Sequence, residues 1–199
     1  MRRKRLLPKL LLIALVIIVI AAVCAVLLVR RFYPLRYLDI ISKYAEEYNL
    51  SVELVCAVIH SESRFDENAV SPEGASGLMQ IMESTAYWLA PQIGMDDFDY
   101  GQIFDPEINI RLGCYYLSML GRRYGDIDVA LSAYNAGSGN VEEWLKNPEY
   151  SSDEATLDHI PFTETRNYVS RVASSQRIYS ILLRFPKLFI TVRGKEAFV

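Results

Sequence analysis

The chain has 199 residues, 51% of them hydrophobic, with 21 Lys or Arg against 24 Asp or Glu and a net charge of −3. That length suits one domain of ordinary size plus an accessory segment. Residues 1–31 hold seven basic residues and no acidic ones, which leaves −10 on the remainder. So acidic a body argues against nucleic acid as a partner and gives no electrostatic reason to cling to an anionic surface.

The accessory segment comes first. Leu10 to Val29 carries no charge and is nearly all Leu, Ile, Val and Ala. As a helix at about 1.5 Å per residue it spans roughly 30 Å, the thickness of a bilayer core. Arg2, Arg3, Lys4, Arg5 and Lys9 precede it; Arg30, Arg31 and Arg36 follow. That bias favours the N-terminus in the cytoplasm and the body on the outer side. The span exceeds the apolar region of a cleaved secretory signal, and Val23 stands before Cys24 where a lipoprotein signal needs a small residue. The expectation is an uncleaved single-pass anchor in the cell membrane: a basic N-terminus over residues 1–9, the span over 10–29 and a short link over 30–36. Such a link, about six residues, reaches roughly 20 Å when extended.

Helical spacing continues beyond the link. Tyr37 to Tyr48 places Leu38, Ile41 and Ala45 on one side. Ser51 suits the N-cap of a helix from Val52 to Ser63, with Glu53 in its first turn. Asn68 to Ser76 is loop-like by its Ser, Pro, Gly and Asn content. Ser84 is expected to cap a helix through Leu89. Asp105-Pro106-Glu107 is a strong helix start leading to Gly125, and Asp126 or Asp128 opens another that Gly137 stops. Val141 to Lys146 is a short helix, and Asn147 to Ile160 a loop. Thr163 is expected to cap the last long helix, ended by Pro186. The tail, residues 187–199, has no assigned role, and no sheet or internal repeat is apparent.

Within the Val52–Ser63 helix, Leu54, Val58 and Glu62 fall four apart and share a face, flanked by Val55 and Ile59. A carboxyl on a core-facing stripe has its pKa raised, as a general acid requires. The competing reading of Glu62 alone is a structural carboxylate paired with Arg64 or a helix N-terminus.

No Cys/His spacing suits a metal, and no cofactor is expected; His60 and His159 are isolated, and read as surface or packing residues. Cys56 and Cys114 in apolar segments read as buried free thiols, and Cys24 lies inside the span. The acidic cluster Asp96, Asp97, Asp99 and Asp105 fails as an EF-hand, because the twelfth position from Asp97 is Ile108 rather than Glu.

Four blocks occur in order: Glu62-Ser63-Arg64-Phe65; Gly74-Ala75-Ser76-Gly77-Leu78-Met79-Gln80; Ala133-Tyr134-Asn135-Ala136-Gly137; and Ile160-Pro161-Phe162-Thr163-Glu164-Thr165-Arg166-Asn167-Tyr168-Val169. Asp105-Pro106, Asn109-Ile110 and Gly113 fit the same pattern. The chain resembles the lysozyme-like domain of soluble lytic murein transglycosylases over about residues 36 to 185. The resemblance implies an all-α, lysozyme-like domain with a substrate cleft over residues 37–186, preceded by one transmembrane helix. It implies cleavage of the β-1,4 bond between N-acetylmuramic acid and N-acetylglucosamine in peptidoglycan, with 1,6-anhydro ends. Glu62 would serve as acid and then base.

The same resemblance places Tyr134 near Glu62, Ser71 on the loop facing it, and Glu164 and Tyr168 beside the cleft. Asn135 would lie where a helix end meets the cleft. Gly74 and Gly77 would let backbone approach the sugar, and Gln80 would offer it a donor and an acceptor. Met79 and Met82 are open between cleft lining and core, Tyr134 between cleft and plain packing, and Glu164 between cleft and a first-turn carboxylate. Alternatives are a goose-type-lysozyme-like hydrolase, for which Asp66 or Glu73 would be the second carboxylate, and a silent glycan-binding scaffold. Partners implied are glycan strands and the membrane; protein partners are unspecified.

Overall fold

The computed structural model describes residues 6–185, so the N-terminal Arg2–Arg5 group, Pro186 and the tail lie outside the described residues. The first element, α1, runs Leu6–Phe32, extending the expected Leu10–Val29 span at both ends. Its stretch Lys9–Phe32 contains an 18-residue window of mean hydropathy 3.5 and is long and apolar enough to cross a membrane. Arg30 and Arg31 sit in its last turn, where cations complement the helix dipole.

Residues Tyr37–Leu183 form a separate compact unit. Its helices are α2 (Leu38–Glu47), α3 (Val52–Glu62), α4 (Glu83–Leu89), α5 (Pro106–Tyr124), α6 (Ile127–Ala136), α7 (Ser138–Lys146) and α8 (Thr163–Leu182), with short 3₁₀ turns at Ala90–Ile93 and Tyr100–Phe104. Among the described residues strand pairing is confined to the isolated bridges Val70–Ser76 and Ser76–Ile81.

The caps explain most boundaries. Ser51 Oγ accepts from the Leu54 N–H at 3.2 Å and starts α3. Asp105 caps α5 through the Glu107 and Ile108 N–H groups, with Pro106 at the first position. Asp126, rather than Asp128, caps α6 through the N–H groups of Asp128 and Val129.

Two expected caps are corrected. Ser84 lies inside α4, which opens after Met82. The chain is pinned just before it, where the Ser76 and Ile81 backbones pair at 3.1 Å each way, so the helix begins as soon as it leaves that pairing. Thr163 is already helical, after an N-cap at Phe162. Its Oγ1 instead accepts from the Arg166 guanidinium at 3.2 Å. The short helix expected from Val141 starts at Ser138, immediately after Gly137 at φ 85°.

The core lies along the contact of α3 with α8 and of α5 with α6. Val55 through Ile59 are fully buried, as are Leu112, Leu120, Val129, Ala133 and Val172. Each Val, Leu or Ile among them is worth about 1.5–3 kcal/mol removed from water. Cys56 and Cys114 are buried free thiols, and burial pushes the Cys56 thiol up to about 12, so both are inert packing groups. His60 packs between Ser175 Oγ, 3.2 Å from its Nδ1, and the edge of the Tyr179 ring. His159 lies 3.3 Å from the Arg166 guanidinium and beside the Tyr150 ring.

Candidate active site

The α3 stripe ends at Glu62, the last residue of the helix. After it the chain turns sharply through two consecutive left-handed residues, Arg64 at φ 53° and Phe65 at φ 66°. Non-glycine residues reach that region only at a cost, which surrounding contacts must offset. Phe65 is buried and packs near Tyr179, and Ser63 Oγ donates to the Leu78 carbonyl at 2.8 Å. The end of α3 is thereby fastened to the Gly74–Gln80 loop.

That loop is held from below by Asn109 of α5, which is 1% exposed. Its Oδ1 accepts from the Met79 N–H at 2.7 Å, and its Nδ2 donates to the Ser76 and Ile103 carbonyls at 3.0 and 2.9 Å. Tyr100 OH lies 2.8 Å from the Ile81 carbonyl and 3.1 Å from that of Gly74, bridging the two ends of the loop.

A cavity of about 620 Å³ opens over this junction. Glu62, Ser71, Gln80, Met82, Tyr134, Asn135 and Glu164 all line it. So do Glu73, Ala75, Ala136, Phe162, Thr163 and Thr165. Phe162, Thr163 and Thr165 sit inside the last sequence block, but nothing in the sequence separates its cleft-facing positions from its buried ones. Among the described residues no group of His, Cys, Asp or Glu is placed to hold a metal ion.

Three expected cleft residues sit behind the wall. Gly77 is absent from the lining, and its reason for being glycine is the clasp beneath it. A Cβ there would lie 2.2 Å from Asn109 Nδ2 and 2.7 Å from the Ile103 carbonyl, and its φ of +79° is strained for any side chain. Met79 is fully buried, with its thioether against Gly113, where an added Cβ would meet the sulfur at 2.3 Å. Tyr168 is 1% exposed and backs Glu62.

Two lining residues have their polar groups partly committed. The Gln80 amide nitrogen donates to the Ala69 and Gly77 carbonyls at 3.1 and 2.9 Å. Its side chain therefore offers the cavity an acceptor oxygen rather than a donor and an acceptor. Ser71 Oγ accepts from the Glu73 and Ala75 N–H groups, both at 3.2 Å, which leaves its proton to donate. Asp66, the other carboxylate near the loop, is exposed, accepts from the Asn68 N–H at 3.0 Å and does not line the cavity.

Electrostatics single out Glu62. Burial pushes its carboxyl up to about 7, against the influence of the neighbouring Tyr168 hydroxyl and the charge of Arg171, with Glu164 adding to the rise. A carboxyl held there is protonated at mildly acidic pH and can return to the anion near neutrality, which suits a group that gives and then takes a proton. The Tyr168 hydroxyl is buried beside Glu62, with no well-formed hydrogen bond among the described residues. Tyr134 OH donates to the Met79 carbonyl at 2.9 Å, fixing its ring against the cavity wall.

The transglycosylase SLT domain family matches residues 39–157. The chain is 37% identical over 150 residues to a soluble lytic murein transglycosylase of Salmonella typhimurium, covering 74% of this chain and 23% of that protein. It is 32% identical over 169 residues to membrane-bound lytic murein transglycosylase C of Yersinia pestis, covering 72% of this chain and 46% of that protein. Similar solved structures include an inactive mutant of the lytic transglycosylase Slt from Pseudomonas aeruginosa, with a TM-score of 0.69 and 34% identity over 80% of this chain and 26% of that one. A second is a 70-kDa soluble lytic transglycosylase in complex with bulgecin A, with a TM-score of 0.68 and 30% identity over the same shares of the two chains. The chain thus spans about a quarter of the soluble relatives and under half of the membrane-bound one. With a family match over more than half of its residues, Glu62 and most of the cavity lining among them, the chain belongs to the transglycosylase SLT domain family.

Proposed function

We propose that the protein is a peptidoglycan lytic transglycosylase with Glu62 as its acid and base. The observation that carries this reading is a buried carboxyl, raised to about 7, in a cavity of mixed polar and apolar lining whose other charged residues are Glu73 and Glu164. Protonated Glu62 gives its proton to the oxygen leaving the muramic C1, and that bond breaks. The same carboxylate then takes the proton of the muramic 6-hydroxyl as its oxygen closes on C1. No water is consumed, and the 1,6-anhydro ring forms. An intramolecular nucleophile supplies a large effective molarity, so a second carboxylate is not needed to activate water as a hydrolase requires.

Supporting roles follow from the geometry. Gln80 presents an acceptor and Ser71 a donor to the sugar. Asn135, Met82 and Glu164 shape the cleft walls, while Tyr134 and Tyr168 fix the surroundings of Glu62 from two sides. Gly77 and Met79 act indirectly, by letting the loop sit on Asn109 and Gly113.

The apolar α1 supports anchoring in the cell membrane, N-terminus inside and catalytic unit on the cell-wall side, since Arg2, Arg3, Lys4, Arg5 and Lys9 outnumber the basic residues after the span. The residues between α1 and α2, Tyr33 to Tyr37, reach roughly 17 Å when extended. The substrate of a tethered enzyme is then membrane-proximal glycan.

The test is Glu62→Gln, close in shape but unable to shuttle a proton. Release of soluble fragments from purified peptidoglycan should fall by about 10² to 10⁴ while the circular dichroism spectrum stays that of the parent. Near-normal turnover by a folded variant would remove Glu62 from the mechanism.

A further inference from the structure

The cavity wall does not end at Tyr134. The Tyr134 ring lies 5.2 Å, centroid to centroid, from that of Tyr116 on α5, and the Tyr116 ring meets the Trp88 indole of α4 edge-on at 6.4 Å. The row runs from the cleft outward. Tyr134 is wedged against the core around Leu120, Val129 and Ala133, and Trp88 is 53% exposed. An indole left half in water keeps apolar area that a ligand can cover. Two other exposed large apolar side chains of this unit, Met82 and Phe162, are cleft-lining residues, and Met82 immediately precedes the helix that carries Trp88.

Resting on the glycan-cleaving reading, we propose that Trp88 is a stacking platform for a hexosamine ring of the bound strand, lying outside the cavity and beyond the reacting bond. Three observations favour this occupant. The platform is continuous with the cleft through Tyr116 and Tyr134. The cavity lining contains no Lys or Arg, so a strand is not held there by its anionic groups. The axial C–H groups of a β-linked hexosamine present an apolar, slightly positive face, which suits the negative face of an indole. The ring is also held at a set angle by its edge contact with Tyr116, so little conformational entropy is lost when a sugar docks.

Binding can be measured apart from cleavage. The full-length chain in detergent, carrying Glu62→Gln to keep strands intact, is titrated with peptide-free glycan strands of graded length. The chain has two tryptophans, and Trp144, 5% exposed, packs against the cleft-lining Phe162 with ring centroids 4.9 Å apart, so the emission change that reports Trp88 is the part lost in Trp88→Phe. The expected result is a change in emission with long strands and none with a disaccharide. Trp88→Ala then weakens calorimetrically measured affinity for long strands by about threefold to tenfold, leaves that for the disaccharide unchanged, and is largely rescued by Trp88→Phe. Equal affinity of the parent and Trp88→Ala for long strands overturns the platform while leaving the catalytic reading intact. Equal loss for short and long ligands also overturns it, as does emission that responds to anionic phospholipid vesicles but not to glycan. Failure of the Glu62→Gln parent to bind any strand strikes the functional reading itself.

Discussion

At the scale of single residues, the site is built around the proton affinity of Glu62. Burial raises it, Glu164 adds to the rise, and Tyr168 with Arg171 opposes it. In the proposed reaction the acid form is the one that starts the cycle. The rate at low substrate should therefore hold below about pH 7 and fall as pH rises through that value. Removing the Tyr168 hydroxyl removes a neighbouring dipole that favours the anion. Tyr168→Phe should thus move the alkaline limb of the kcat/KM profile upward, by up to about one unit. A profile that keeps its midpoint while the rate falls would make Tyr168 a packing residue only. Much of this is legible in the sequence, because Glu62 stands on the apolar stripe of its own helix. The arrest of the Gln80 amide by Ala69 and Gly77 is not, since loop side chains carry no periodicity that reveals where they point.

At the scale of elements, the Gly74–Gln80 loop is the part the sequence describes least well. Its glycines suggest close approach to a sugar, yet Gly77 is required by Asn109, a residue 32 positions along the chain. Met79 is similarly explained by Gly113. Contacts between distant segments leave no local pattern, whereas caps such as Ser51, Asp105 and Asp126 do, and those expectations match the observed helix starts. Ser84 and Thr163 have the residue type of caps, but the loop pairing at Ile81 and the Arg166 guanidinium override that preference. Asn109 makes three buried hydrogen bonds, two to the loop and one to Ile103. Asn109→Ala should lower the unfolding free energy by about 3 kcal/mol, measured by urea denaturation. It should also reduce kcat through loss of loop position. Wild-type stability in that variant would show that the clasp does not hold the loop.

At the scale of the whole molecule, the domain organisation follows from one contrast: an apolar α1, charge-free from Leu10 to Val29, against a unit whose helices bury apolar side chains. Both patterns are periodic or compositional, so both can be read directly from the order of residues. The tether predicts that the protein is recovered from cells in the membrane fraction, resistant to high salt and released by detergent, with an N-terminal sequence upstream of Leu10. Recovery of most of it as a soluble form starting near Ala22 or Ala25 would free the enzyme from the membrane. The central claim, though, is chemical: one carboxyl and an internal nucleophile replace the second carboxylate and water of a hydrolase. Mass spectrometry of muropeptides released from sacculi by the purified protein tests it most directly. The account predicts 1,6-anhydro-muramic ends, lighter by one water than reducing ends and absent with Glu62→Gln; products with reducing ends would contradict it.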